Sequence, residues 1–271
     1  MSIKSILVHV DQNNSDNALQ AAALLADKFS AHVNGVGVEN RVNVPTYVTA
    51  ELPRELLQSF AKQQEERLEA SQKAFERKMK DIGKIATASW ESGIEEVIPF
   101  IGRRSRVNDL TIITQDNPNS TGRNIVDDVV VSAAGAVLVV PHLAIGETIG
   151  EAVTVAWNDS PESARAVRAA LPILKKAKSV DVIIISKSEE DQFKGSDVAR
   201  YLSEHGIEIS LKIVANSAID VANVILNNVF EKGHDLIVMG AFSHMRLREA
   251  ILGGTTRNIF AHMTVPVIFS H

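Results

Sequence analysis

The chain has 271 residues and a formal net charge of −5, a length suited to one or two domains and a balance without the basic footprint of nucleic-acid binding. It has no cysteine, which excludes disulfides and thiolate chemistry. No apolar run approaches the roughly 18 residues of a bilayer span, and Met1 to Val10 reads as a strand interrupted by Asp11, not as a signal peptide. No membrane or nucleic-acid partner is expected, and the expected setting is cytoplasmic.

In chain order, the first apolar run predicts a strand at 3–10. A polar turn, Gln12 to Asp16, opens an Ala-rich amphipathic segment from Ala18 to Phe29. A strand at 33–38 follows. From about Glu51 to Ile82, Leu57, Phe60, Leu68, Phe75, Met79 and Ile82 recur at roughly helical spacing among charges. That segment reads as a long amphipathic cover helix, with a partner-binding helix as the alternative. Strands are expected at 85–90, 109–114 and 136–140. Pro, Gly and Thr interrupt the pattern at Pro141 to Glu151, which reads as a linker. The second half predicts strands at 152–157, 180–186, 207–214, 235–240 and 266–269. Between the first two of these, Ser160-Pro161-Glu162 signals a helix start, with proline in the first helical position.

The two halves repeat one another. Ser5-Ile6-Leu7-Val8-His9-Val10-Asp11 resembles Ala152-Val153-Thr154-Val155-Ala156-Trp157-Asn158, and each run leads through a polar turn into an Ala-rich segment (the second being Ala164 to Ala177). Asn108-Asp109-Leu110 echoes His234-Asp235-Leu236. Continuous Val/Ile/Leu strands alternating with helices indicate parallel sheets covered on both faces. The expected class is α/β, as two tandem doubly wound parallel five-stranded sheets, with domains at 1–142 and 150–271.

The most informative stretch is Asp235 to Thr256. An apolar run ends in Met239-Gly240, a loop follows, and Gly253-Gly254-Thr255-Thr256 leads into a helix expected from Arg257 to His262. Glycines let backbone N–H groups approach a ligand, and a helix start offers unpaired donors and a positive dipole end. Both suit a phosphate. No Walker loop occurs, and Gly35 and Gly37 lack the third glycine of a dinucleotide fingerprint.

Two such units resemble a tandem universal stress protein, over nearly the whole chain. Nucleotide-binding members of that family carry glycine, two residues, glycine, nine residues, glycine, then small or hydroxyl residues. Gly240, position 243 and Gly253 keep the spacing, with Ser243 in place of the second glycine and Gly254 in place of the usual serine. The family places an acid after the first strand; here Asn158 stands there, followed by Asp159. The resemblance implies an adenine nucleotide alpha-hydrolase-like, Rossmann-like fold, a pseudo-dimer of the halves, and ATP or a related adenine nucleotide in the second half, with Mg2+ as a possible companion. By analogy Gly240, Ser243, Gly253, Gly254, Thr255 and Thr256 would hold the phosphates. Asn158 would face the ribose or phosphates, the backbone near Ile185 and Ser186 would meet the base, and Met239 adjoins Gly240. Open α/β sheets bind ligands at the carboxyl ends of their strands in any case.

The first half differs. Thr114-Gln115-Asp116-Asn117 carries no glycine, and Asp109 to Ala136 spans 27 residues where Asp235 to Pro266 spans 31. Its phosphate loop is expected to be lost, leaving Asp11 as a turn or helix-cap carboxylate. Arg257, Arg246, Arg248 and His244 are read as solvent-facing, with a cationic rim for an anion as the sharper alternative. Trp157 is read as packing. No histidine pair has metal-site spacing, no Gly-x-Ser-x-Gly elbow is present, and no water-activating residue is identifiable, so no catalytic residue is assigned. The expected function is a stress-response sensor or regulator that binds an adenine nucleotide. Two alternatives stand beside it: a nucleotide-independent interaction or chaperone-like protein, and a binder of another small anionic metabolite. A homodimer is compatible, and the protein partner is left open.

Overall fold

In a computed structural model of the chain, residues 2–11, 15–41, 53–83, 87–116, 125–186, 191–215, 220–241 and 254–271 are described. The first half runs β1 (Ser5–His9), α1 (Asp16–Phe29), β2 (His32–Glu39), α2 (Arg54–Asp81), β3 (Ala88–Ile94), α3 (Val97–Ser105), β4 (Leu110–Thr114), α4 (Val126–Ser132) and β5 (Ala136–Val140). The second runs β6 (Ala152–Trp157), α5 (Pro161–Leu174), β7 (Ser179–Ser186), α6 (Asp191–Glu204), β8 (Ser210–Ala215), α7 (Val221–Lys232), β9 (Leu236–Gly240), α8 (Gly254–His262) and β10 (Val267–Ser270).

The strand order is β3-β2-β1-β4-β5-β10-β9-β6-β7-β8. Each half is parallel and has the same internal order, so the expected five-stranded sheets are present. They are not separate. β5 and β10 pair antiparallel, Val139 opposite Val267 and Val137 opposite Phe269, and join the two into one ten-stranded sheet. Alternation along the strands divides the core. Ile6, Val8, Leu138, Val155, Val238 and Ile268 face α1, α2, α5 and α6. Leu7, Val137, Val139, Ile237, Met239 and Phe269 face α3, α4, α7 and α8. Both apolar layers run through both halves, which is why the strands read as continuous apolar runs.

Two elements lie later than expected. The third strand is 88–94, not 85–90, and the eighth is 210–215, not 207–214. Both are sheet edges whose outer faces meet water, so their apolar signal is diluted. The long helix is 54–81; Leu68 reaches β2 at Gly37, and Ser71, Phe75 and Met79 are buried, while Leu56 and Phe60 stay exposed. Gly35 and Gly37 have a packing reason: a Cβ on either would fall within 3 Å of the Trp90 ring, and at Gly35 of Phe75 as well.

The repeat extends to a clasp that the sequence reading did not single out. Asp109 accepts backbone N–H bonds from Lys4 (2.7 Å) and Ser5 (3.0 Å), just before β4. Its counterpart Asp235 accepts from Gly150 (3.0 Å), Glu151 (3.0 Å) and Ala152 (3.1 Å), and from the Thr148 hydroxyl (2.7 Å). Each aspartate satisfies the donors at the entry of the neighbouring strand. Along the linker, the Asn17 amide donates to Pro141 O (2.8 Å) and Leu143 O (2.6 Å), and Lys28 Nζ to Gly150 O (2.8 Å). Replacing Asp235 with alanine strands several donors at once and should cost about 2–3 kcal/mol. Urea denaturation checks this, with Asp235→Asn expected to lose less.

Candidate functional site

The carboxyl ends of β6, β7 and β9 and the start of α8 lie on one rim of the second half. Asn158 follows β6 and is exposed, and its Oδ1 accepts the Ser160 N–H at 3.3 Å. Asp159 holds a left-handed backbone (φ 62°) between them, a conformation that aspartate tolerates better than most side chains. Ser160 then caps α5: its hydroxyl accepts Ser163 N–H, Ser163 Oγ accepts Ser160 N–H, both at 3.1 Å, and Pro161 takes the first helical position. The start signal read from the sequence is therefore the one the chain uses.

Gly240 ends β9 against this cap. A Cβ there would lie 2.5 Å from Ser163 N and 2.7 Å from the Glu162 carbonyl carbon, so the glycine lets α5 pack onto the strand end. Met239 beside it is buried in the core, so its side chain does not face the rim. Ile185 is half-buried against the same layer, and Ser186 is buried at the end of β7. Ser243 and Gly253 lie outside the described residues, as do His244, Arg246 and Arg248.

α8 begins at Gly254, three residues before the expected Arg257. Gly254, Thr255 and Thr256 thus form its first turn, where backbone N–H groups lack helical acceptors. Gly254 is exposed, with no described atom within 4 Å of the place a Cβ would take. Thr255 is half-buried and Thr256 buried. The first turn holds no acidic residue, and Arg257 is exposed within it.

The matching place in the first half is occupied by the protein itself. Gln115 N–H bonds to Val140 O as Ala241 N–H bonds to Ser270 O, which makes Thr114 the counterpart of Gly240. Two residues on, Asp116 turns its carboxylate onto the start of α4 and accepts N–H bonds from Ile125 (3.1 Å) and Val126 (3.3 Å). Asp127 and Asp128 follow in that first turn. Burial raises the Asp116 carboxyl against these bonds, and nearby Asp11 raises it further. Burial also raises Asp127, whose Oδ1 is buried without a hydrogen-bond partner, while Arg257 of α8 counteracts the rise. Glu39, at the end of β2, is raised by burial and by Asp11, against Arg67. The first-half rim is crowded with carboxylates, whereas the first turn of α8 contains no acidic residue of its own. Position 116 reads only as a loop residue in sequence, and its capping role needed the distance to α4.

Gln115 was not singled out in sequence either. Buried at the seam, it donates to Phe260 O of α8 and accepts from His142 N–H at 3.1 Å. A first-half residue therefore holds a second-half helix. Among the described residues, no group of three or more His, Asp or Glu is placed to hold a metal ion, and no helix is long and apolar enough to cross a membrane.

With this geometry in hand, similarity becomes informative. Residues 217–271 match the universal stress protein family. That span contains α7, β9, α8 and β10, including the glycine-bearing loop. A universal stress protein from Archaeoglobus fulgidus superposes with a TM-score of 0.79 at 17% identity, covering 99% of this chain and 96% of that one. A putative universal stress protein from Pseudomonas aeruginosa gives 0.63 at 18%, covering 99% and 93%. A half-length universal stress protein solved in complex with cAMP covers 45% of this chain and 96% of its own, at 18% identity and a TM-score of 0.38. At these identities the two long superpositions show likeness of fold, and the strand order gives each half the same arrangement. No curated protein matches the sequence.

Two measurements test the local assignments. Gly240→Ala should cost about 1–3 kcal/mol through overpacking against α5, read by urea denaturation. Asp116→Asn keeps an acceptor for α4 and removes the charge. Because the folded carboxyl is raised, the native state favours its protonated form, and stability is lost as pH climbs through the raised value. The amide should therefore raise Tm at pH 7 by about 1–2 °C after allowance for solvent screening, with the gain disappearing below the ordinary carboxylate range.

Proposed function

We infer that the chain is a tandem universal stress protein, with units at 1–142 and 150–271 packed as an intramolecular pseudo-dimer, and that its second unit binds ATP or a related adenine nucleotide. The observation that carries this is the charge contrast between two equivalent helix starts. α4 receives its own carboxylate from Asp116, with Asp127 and Asp128 behind it. α8 has no acid in its first turn and carries Arg257, and no described atom lies within 4 Å of a Cβ placed on Gly254. An anion at a helix start is favoured by the unpaired N–H groups and the dipole, and of these two first turns, as described, that of α8 contains no acid.

In this reading the first turn at Gly254, Thr255 and Thr256, with Ser243 and Gly253 of the preceding loop, receives the phosphates. Asn158 keeps its amide group for the ribose or phosphates, and the ends of β7 and β9, at Ile185 and at Met239 and Gly240, form the floor. Gly240 serves mainly by seating α5. No divalent cation is written into the site, and no reaction is assigned: the role is sensing or regulation through unequal binding to two conformational states, in a cytoplasmic setting. The exposed Leu56 and Phe60 on α2 support a second reading, in which the protein works through a partner helix without nucleotide.

Thermal unfolding with and without ATP tests the first reading. Ligand at about 100 times its dissociation constant should add roughly 2.7 kcal/mol. Gly254→Glu should fold normally, since no described atom lies within 4 Å of its Cβ and an acid suits a helix start, yet it should abolish the shift by repelling phosphate. An equal ATP shift in wild type and variant, or none in wild type, overturns the reading. A shift with inorganic phosphate as large as that with ATP would assign the site to small anions instead.

A further inference from the structure

The amino ends of the second-half strands hold a buried polar chain that the nucleotide reading does not use. Lys212 Nζ on β8 donates to Asn228 Oδ1 on α7 at 3.0 Å. Asn228 Nδ2 reaches Thr154 Oγ on β6 at 3.5 Å. Thr154 Oγ lies 2.5 Å from His234 Nδ1, just before β9, and His234 Nε2 lies 3.8 Å from Asp181 Oδ2 on β7. Thr154, Asn228 and His234 are all buried.

The two ends set the direction of the chain. An ammonium group only donates, so Asn228 presents its oxygen to Lys212 and its NH2 to Thr154. The Thr154 hydroxyl then accepts from Asn228 and has its proton free for His234 Nδ1. That leaves the ring proton on Nε2, facing a carboxylate that only accepts. With a neutral imidazole every donor points the same way, from Lys212 to Asp181.

The first half supplies an internal comparison. Strand register sets Leu7 opposite Asn34 and Ile6 opposite Leu110; in the second half it sets Thr154 opposite Asp181 and Val153 opposite Leu236. Asn34 and Asp181 are therefore equivalent, as are Asn108 and His234. In the first half the pair is amide to amide: Asn34 Nδ2 donates to Asn108 Oδ1 at 2.7 Å, and Ser5 Oγ donates to the same oxygen at 2.5 Å. Neither group titrates near neutrality. The second half has a carboxylate and an imidazole in the same two places.

We propose that His234, Thr154 and Asn228 form a proton-sensitive latch that holds α7 on the second half, and that the first half lacks this latch. A proton on Nδ1 would face the Thr154 hydroxyl proton, so the hydroxyl must turn. Thr154 Oγ then accepts from both the imidazolium and Asn228, and its own buried proton loses its acceptor, while the charged ring is drawn toward Asp181 on β7. The group left unsatisfied is the hydroxyl through which Asn228 ties α7 to β6, while Lys212 on β8 still holds Asn228 Oδ1. α7 in turn contacts the ligand-bearing helix, since its cap residue Asp220 accepts from Asn258 of α8. The charges around the ring are Asp181 on β7, Asp235 next in sequence, Lys232 at the end of α7 and, through Asn228, Lys212 on β8. Burial lowers the His234 pKa, Asp181 and Asp235 oppose that, and Lys232 adds to it. The native state therefore resists the proton, and stability is lost as pH falls from the ordinary histidine value through the lowered one.

The test needs no nucleotide. Amide exchange of the full chain, expressed as protection factors to remove the intrinsic pH dependence, is compared at pH 7.5 and 5.5. The comparison protein is the double variant Asp181→Asn/His234→Asn, which writes the first-half amide pair into the second half. Wild-type protection over residues 221–232 should fall several-fold in acid while that of α1 holds, and the wild type should lose about 2 °C more in Tm than the variant. An equal fall in both proteins, or no fall in the wild type, overturns the proposal. A second readout stands if the variant fails to fold. Imidazole nitrogen NMR of the wild type should place the His234 proton on Nε2 at pH 7.5 and show the ring titrating below the ordinary histidine value; a proton on Nδ1, or titration at the ordinary value, overturns it.

Discussion

The antiparallel pairing of β5 with β10 is the constraint on which the remaining architecture depends. Each half alone would end in an exposed strand at that side, with its backbone groups unpaired and open to association. Joining the two edges removes that liability at the centre and leaves β3 and β8 as the outer strands. It also makes the apolar layers continuous on both faces, so α4 and α8 pack beside the seam against Val137, Val139, Val267 and Phe269. Helices that belong to different repeats thereby become neighbours, with Gln115 bonded to Phe260 O and Asp127 within electrostatic reach of Arg257.

Duplication with divergence follows from this geometry. Elements that maintain the sheet are kept in both copies: the alternating apolar strands, the helices on both faces, and the Asp109 and Asp235 clasps. The helix starts at the carboxyl rim have separated in character. In the first half a carboxylate within the fold satisfies α4, so that rim is electrostatically closed to anions. In the second half α8 begins with Gly254 and two threonines, followed by Arg257, with no acid in that turn. The same separation recurs at the opposite rim, where an amide pair in one half faces an ionisable pair in the other. Fusion in one chain allows such asymmetry, because each copy need satisfy only its own side of a shared sheet.

Much of this was legible in the residues. Continuous runs of Val, Ile and Leu alternating with Ala-rich segments identify parallel strands between helices, because a strand buried on both faces has no polar side to show. Ser160-Pro161 marks the start of α5, because local capping chemistry needs no distant partner. The missing glycines at Thr114 to Asn117 signal that the first-half loop has changed. The edge strands were placed about three residues early, since solvent on one side weakens their apolar pattern. Gly240 is understood only when Ser163 and Glu162 are seen against it.

The sequence by itself determined the fold class, the repeat and the element order. These depend on periodicity, composition and local turn chemistry, all of which are written within short spans of chain. Tertiary structure alone decided that the two sheets are one, that Asp116 fills the start of α4, that Gln115 crosses the seam, and that Lys212, Asn228, Thr154, His234 and Asp181 align into one directed chain. Each of those is a relation between groups brought together by strand register and helix packing, and the free energy of a buried hydrogen bond or charge depends on the distance and surroundings of its partner, which no local pattern encodes.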